Sequence, residues 1–271
     1  MLNKMDNKEE IGVLVFGHTR VKTLENTLES LKRQNALQYV DLWLDGDQGN
    51  PILKDKLLLT KRMASSHQLR GKYYHRGQLG FRKIILMAMQ LAVQKYKYII
   101  FIEDDCFPTH DAIDIFHKEL KLIENDNEVF SVYGHPFLMG EDDGFCTRFQ
   151  GWGWATTAEK LKPYVDKLID CYSMYESDYL DFVNSNLTND VLRRLNVTPP
   201  RLPTDTLKSF FAWDETLALL TAIDKKKHKV SEKRIIYNCG LGGESTHFSA
   251  QDRYLKPPFN MVTQTSIWKY F

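Results

Sequence analysis

Three adjacent acids, Glu103-Asp104-Asp105, close an otherwise apolar run, Tyr98-Ile99-Ile100-Phe101-Ile102. A run this short with two greasy faces reads as a buried parallel strand. Open α/β sheets bind ligands at the carboxyl ends of their strands. Carboxylates crowded there repel one another and lose hydration unless a positive charge sits among them. Their oxygens suit a hard divalent cation, Mn²⁺ or Mg²⁺, accompanied by a diphosphate. The plainer alternative is a solvated acidic loop that ends the strand.

Other chemistry-bearing residues fall at similar places. An apolar run, Ile11 to Phe16, ends in Gly17-His18-Thr19-Arg20, and a second, Val40 to Leu44, ends in Asp45. If these are neighbouring parallel strands, their ends meet. Arg20 could then hold phosphate or stack on a base, and Asp45 could accept a base N–H. Each could equally be a surface Arg and a turn-forming Asp. His75-Arg76-Gly77-Gln78-Leu79-Gly80-Phe81-Arg82-Lys83 is a glycine-broken basic turn before a helix, a place that attracts phosphate. Arg82 is its first candidate, against a solvated basic turn. Neither GxGxxG nor GxxxxGK[ST] occurs, which removes the main support for a dinucleotide or P-loop reading.

Later motifs suit a sugar and its acceptor. Gly151-Trp152-Gly153-Trp154 combines glycines that permit close approach with tryptophan faces that bind sugar rings. A core turn with buried aromatics has the same composition. Trp213-Asp214-Glu215 opens a helix, where acids serve either as a general base or as partners of the helix dipole. Asn238-Cys239-Gly240-Leu241-Gly242-Gly243-Glu244-Ser245-Thr246-His247 is a glycine-rich loop ending in a histidine that could ligate a metal. A lone histidine is more often structural or exposed.

The elements that must position these residues follow from periodicity. Leu24, Leu28 and Leu31 mark a helix after the first strand, and Ile52 to Ala64 a second. Lys72 to His75 reads as a short strand, Phe81 to Gln94 as an apolar helix leading into the acidic strand. Ile113, Phe116, Leu120 and Ile123 mark an amphipathic helix, and Val129 to Tyr133 the next strand. This alternation predicts an α/β doubly wound sheet with helices on both faces. Beyond Gly134 the pattern blurs. A helical stretch follows Trp154, a polar region through Pro199-Pro200-Arg201-Leu202-Pro203 reads as loop, Phe210 to Ile223 as helix and Arg234 to Tyr237 as a late strand. Lys256 to Phe271 is aromatic and basic without a period.

A net charge of +1 over 271 residues argues against broad nucleic-acid binding. Met1 to Glu10 is charged and lacks a signal peptide's apolar core, and no apolar run is long enough to span a bilayer. The cysteines Cys106, Cys146, Cys171 and Cys239 are scattered, indicating neither a zinc site nor a disulfide framework. Without a secretory signal, the sequons at Asn186 and Asn196 read as chance. The expectation is a cytoplasmic protein, with peripheral contact at the inner membrane face left open.

In their order these motifs, from about Ile11 to His247, resemble the GT-A glycosyltransferases, above all the β-1,2-N-acetylglucosaminyltransferase I type. The matching positions are Arg20, Asp45, Glu103-Asp104-Asp105, Gly151-Trp152-Gly153-Trp154, Trp213-Asp214-Glu215 and His247. The chain also resembles short bacterial sugar transferases with a Trp-Gly-Trp-Ala-Thr-Trp motif and a late Asn-x-Gly…Thr-His segment. Two positions depart: Thr157 replaces that motif's last Trp, a change expected at the pocket wall, and Glu215 stands where the transferase I type has Asp.

The resemblance implies one GT-A domain over 1–271: about 11–133 for the nucleotide sugar, about 134–250 for the acceptor, and a tail, 251–271. It implies an inverting, metal-dependent hexosyl- or N-acetylhexosaminyltransferase of polysaccharide biosynthesis. Its donor would be a nucleotide diphosphate sugar, a UDP-sugar first among them, and its acceptor a hydroxyl of a glycan or glycolipid. Asp105, with His247, would bind Mn²⁺ or Mg²⁺. Arg20, Asp45, Arg82, Glu103, Asp104 and Trp154 would line the donor site, and Glu215, with Asp214 as the alternative, would be the base. The competing readings are a sugar-nucleotide pyrophosphorylase, whose glycine-rich basic loop after the first strand is missing, and a non-catalytic glycan binder, which has no use for an acidic diphosphate clamp.

Overall fold

The structure, a computed structural model, describes residues 9–47, 49–135, 144–195, 210–241, 252–257 and 259–271. Four strands come first: β1 (Glu9–Gly17), β2 (Val40–Leu44), β3 (Gly71–Tyr74) and β4 (Tyr96–Glu103). They are connected by helices α1 (Val21–Arg33), α2 (Pro51–Ser65) and α3 (Phe81–Lys95). All four run parallel, in the order β3-β2-β1-β4. Alternation along each strand explains why both faces are covered. Val13, Val15, Ile100 and Ile102 pack with α1 and with α4 (Ala112–Ile123), whereas Leu14, Phe16, Ile99 and Phe101 pack with α3. The α2 start is equally legible: Asn50 accepts from the amides of Ile52 and Leu53 at 3.0 and 3.4 Å, with Pro51 behind it.

The remaining strands are short: β5 (Cys106–Pro108), β6 (Val129–Tyr133), β7 (Phe145–Cys146), β8 (Trp154–Thr157), β9 (Lys227–Val230) and β10 (Ile236–Asn238). The main sheet has eight strands in the order β3-β2-β1-β4-β8-β6-β9-β7. β8 inserts antiparallel between β4 and β6, pairing Phe101 with Trp154 and Val132 with Ala155. The sheet is therefore mixed, and the later part of the chain completes a core begun by the earlier part. Helices α5 (Ala158–Ser173), α6 (Glu176–Asn186), α7 (Asn189–Arg194) and α8 (Trp213–Ile223) follow. β10 pairs antiparallel with β5, beside the acidic triplet.

The sequence missed β5, β7, β8 and β9, and placed the late strand two residues early. Lys227-His228-Lys229-Val230 carries three basic side chains and no apolar alternation, so its strand is set by pairing with β6 and β7 rather than by pattern. Thr157 is corrected too: it caps α5, its hydroxyl accepting from the Lys160 amide at 3.3 Å, and is buried. The polar region through 199–203 and the glycine-rich loop beyond residue 241 lie outside the described residues. The aperiodic tail packs back on the fold: Val262 and Ile267 join Phe107 and Cys239, and the Trp268 indole donates to Asn26. Among the described residues no helix is long and apolar enough to cross a membrane.

Candidate functional site

The carboxyl ends of β1, β2 and β4 bring Arg20, Asp45 and the acidic triplet to one edge of the sheet. β4 is buried from Tyr98 to Ile102, and the chain then turns through Asp104 and Asp105 into β5, leaving these side chains only 4% and 12% exposed. Arg20 is the positive charge among them. Its Nε and Nη2 donate to both oxygens of Asp104, the former at 3.2 Å, and its Nη1 donates to Asp105 Oδ2 at 2.7 Å. Arg20 immediately precedes α1, and that helix grips the same loop, Thr27 Oγ1 donating to the Asp104 carbonyl at 3.0 Å.

Asp105 is approached from the other side by the residues that follow β10. The Cys239 amide donates to the Asp105 carbonyl at 2.8 Å. Gly240 sits so close that a Cβ there would lie 2.3 Å from Asp105 Oδ2. No larger residue fits without moving the carboxylate.

The electrostatics are unbalanced. Burial opposes the Arg20 charge, but Asp104 and Asp105 outweigh it and hold the guanidinium firmly protonated. Burial pushes Asp104 up to about 7, against the pull of Arg20 and with the repulsion of Asp105. Glu103 is raised well above the usual carboxylate range by burial, then by the charges of Asp105 and Asp214, which Arg20 only partly offsets. One guanidinium thus sits among Glu103, Asp104 and Asp105, and the charge of Asp214 bears on Glu103 as well. Such a surplus of carboxylate oxygen suits a hard dication. Among the described residues no three acidic, histidine or cysteine side chains form a ready metal cage. That donor set still fits Mg²⁺ or Mn²⁺, which take one or two carboxylates and complete their shell with phosphate and water.

Asp45 is buried and accepts from the amides of Gly46, Leu79 and Gly80, each at 2.8 Å. It therefore clamps the basic turn of 75–80 onto the end of β2 and sets the start of α3. Gly46 allows this, since a Cβ there would meet the backbone of Arg76 and Gly77 at 2.5 Å. A carboxylate has about four acceptor positions, so a ligand N–H can use only what these amides leave.

Arg82 reaches across to the later part of the chain, with its guanidinium 4.7 Å from the Tyr172 ring and Nη1 donating to the Phe211 carbonyl at 3.3 Å. Trp154 requires a correction. It is fully buried on β8, stacked on Phe101 with ring centroids 4.1 Å apart and edge-on to Phe149 at 4.8 Å. It cannot offer a face to a sugar, because both sheet neighbours and α8 cover it. Trp152 is half-buried, with its ring 5.2 Å from that of His135.

Glu215 and Asp214 part ways at the start of α8. Glu215 is ion-paired with Arg148 at 2.5 Å, and Arg148 also donates to the Leu195 carbonyl at 2.8 Å. Burial raises the Glu215 carboxyl, Arg148 opposes this, and Asp214 adds to it. Asp214 is the member of the pair whose charge raises Glu103. Gly151 makes room for it: a Cβ there would lie 3.2 Å from the Trp213 ring and 3.3 Å from Asp214 Cβ. His247 lies outside the described residues. Sequence reasoning missed Arg148, and it read Gly240 only as part of a glycine-rich Asn-x-Gly segment, not as the neighbour of Asp105. Arg148 had no motif to mark it.

No family model matches the chain, and no curated protein matches it in sequence. Solved structures give distant likenesses. The mannosyltransferase PcManGT from Pyrobaculum calidifontis, in complex with GDP-Man and Mn²⁺, is 14% identical with a TM-score of 0.44, covering 80% of this chain and 74% of that one. S. aureus TarS 1–349 is 12% identical with a TM-score of 0.45, covering 84% and 60%. The 4-diphosphocytidyl-2C-methyl-D-erythritol synthase from Anaerococcus prevotii is 10% identical with a TM-score of 0.42, covering 65% and 84%. At such overlaps the functional assignment rests on the chain's own residues.

Proposed function

We propose that the chain is a GT-A glycosyltransferase that moves a sugar from a nucleotide diphosphate donor, a UDP-sugar first among them, to a hydroxyl of a glycan or glycolipid. One observation carries the reading. An acid-rich, cation-deficient edge of a doubly wound sheet holds Asp104, Asp105 and Arg20 together, with the charge of a further carboxylate, Asp214, acting on Glu103. A redox or hydride enzyme has no use for that arrangement, whereas departure of a diphosphate does.

A divalent cation bound there by Asp105, with Glu103 beside it, would neutralise charge on the departing diphosphate. Arg20 binds and orients the acids. Asp45 holds the turn before α3, whose N-terminal amides favour an anion. In the inverting reaction the acceptor oxygen bonds to the anomeric carbon, the bond to the diphosphate oxygen breaks, and its electron pair leaves with the nucleotide. The acceptor proton must go to a carboxylate. We assign that role to Asp214, because its charge acts on Glu103 at the end of β4, and give Glu215, ion-paired with Arg148, the task of fixing the start of α8. Residues 11–133 would hold the donor and 134–250 the acceptor.

Thermal melts with a panel of nucleoside diphosphates, with and without Mn²⁺, test this. Only a ligand that binds the native state raises the melting temperature. The expected result is a shift with one diphosphate and Mn²⁺ together, followed by Mn²⁺-dependent hydrolysis of the matching nucleotide sugar. No shift with any diphosphate and no hydrolysis sinks the proposal. Release of pyrophosphate from a nucleoside triphosphate and a sugar phosphate would establish a pyrophosphorylase instead.

A further inference from the structure

The edge that would bind a dication already contains a cation. The Arg20 guanidinium takes both oxygens of Asp104 in a fork and reaches Asp105 through Nη1 alone. The fork is the strong arm and the single bond the weak one. Asp105 has its backbone carbonyl held by the Cys239 amide, and its carboxylate lies close against the backbone at Gly240, which limits movement on that side. The freer partner in any exchange at Asp105 is therefore Arg20. The guanidinium can make it, since its side chain is 20% exposed and has no capping role at the start of α1. No acidic residue occupies the first turn of that helix, so nothing there repels an incoming anion.

We propose that Arg20 is a displaceable counter-ion. In the ligand-free protein it pairs with Asp104 and Asp105. When a metal–diphosphate complex arrives, Arg20 keeps Asp104, releases Asp105 to the metal and turns its freed N–H toward a phosphate oxygen. Metal alone must either sit against the Arg20 charge or displace it and leave an N–H without its acceptor, so it binds poorly. The diphosphate supplies the missing acceptor. Metal and diphosphate affinities are then coupled, and by the same factor in each direction. This rests on the metal–diphosphate reading of the site and adds a reason why the order and economy of binding follow from one side chain.

Mn²⁺ titration of the full chain, followed by the electron paramagnetic resonance of the ion, tests the proposal without reference to turnover. The titrations are run alone, with inorganic pyrophosphate and with UDP, each against a protein-free control for chelation. The wild-type protein should bind Mn²⁺ about tenfold or more tightly when the diphosphate is present. Arg20→Gln should bind Mn²⁺ alone about tenfold more tightly than wild type and lose most of the coupling. Arg20→Lys keeps the charge but not the fork and should fall between the two; it also serves if Arg20→Gln does not fold. Equal Mn²⁺ affinity of the wild type with and without diphosphate overturns the counter-ion role while leaving the metal site standing. So does an Arg20→Gln or Arg20→Lys protein that binds Mn²⁺ alone no more tightly than wild type. Binding of neither Mn²⁺ nor diphosphate by the wild type removes the site itself.

Discussion

The earlier and later parts of this sheet are held in different ways. From Glu9 to Glu103, strands of up to nine residues alternate with helices of 13 to 15 residues, and each strand pairs with a neighbour from the same stretch. The site residues there are simply the next residues after the strands. From Phe145 to Asn238, strands of two to four residues borrow partners from far away: β8 from β4 and β6, β10 from β5. The site residues of that part are placed by side chains, Glu215 by Arg148 and Asp214 by the space over Gly151. On the first part, the strand ends place the candidate site residues directly. On the second part, site and core share the same residues.

The comparison is sharpest at the two acids of α8. Asp214→Asn should lower kcat by roughly 10²–10⁴-fold with donor affinity nearly unchanged, the signature of a lost proton acceptor. Glu215→Gln should act through Arg148, lowering thermal stability and activity together but less steeply. Steady-state kinetics beside a denaturant melt separate the two. If Glu215→Gln stops turnover in a protein of normal stability, while Asp214→Asn does not, the base is Glu215 and the ion pair with Arg148 opens in the working enzyme.

Trp154 measures how far the later part belongs to the core. Trp154→Ala removes a fully buried indole stacked on Phe101 and should cost about 3–5 kcal/mol in a denaturant melt. Trp154→Phe, which keeps an aromatic ring, should be milder and leave nucleotide-sugar affinity unchanged where the protein stays folded. A tenfold loss of donor affinity at unaltered stability would return Trp154 to the ligand.

These residues also show what a sequence reveals and what it hides. Arg20, Asp45 and the triplet could be placed because a buried parallel strand announces itself as an apolar run, and the run's end locates the site. The pairing of Arg20 with Asp104 and Asp105 was not legible, because it joins residues 84 and 85 apart and removes the apparent need for a metal to neutralise every acid. Trp154 was misread because a tryptophan between glycines has the same composition whether it lines a pocket or fills a core. The deciding fact is antiparallel pairing with β4 across more than fifty residues of chain. Arg148 escaped for a similar reason: its meaning comes only from Glu215, 67 residues on. β9 was invisible because burial of His228, not hydrophobic alternation, fixes which of its faces points inward.

His228 gives the last and smallest test of the same contrast. It lies fully buried on β9 between the rings of Phe130 and Phe149, its Nδ1 2.8 Å from Ser131 Oγ and its Nε2 without a partner. Burial pushes its pKa down to about 3. Once the chain unfolds, the imidazole titrates near 6.5. The native state therefore holds it neutral while the unfolded state gains a proton as pH falls below 6.5. Its contribution is fully present above that pH and is lost progressively down to about 3. For one such group the loss between pH 7 and pH 5 is about 2 kcal/mol. The raised carboxyls of Glu103 and Asp104 act in the opposite direction over an overlapping range, so the wild-type profile alone would blur the two. His228→Gln removes only the imidazole. Subtracting its stability profile from that of the wild type should leave a difference that grows in the variant's favour by about 2 kcal/mol from pH 7 to pH 5. A flat difference would mean that His228 is protonated in the native protein, and that this end of the sheet is wetter and looser than the packing around β9 allows.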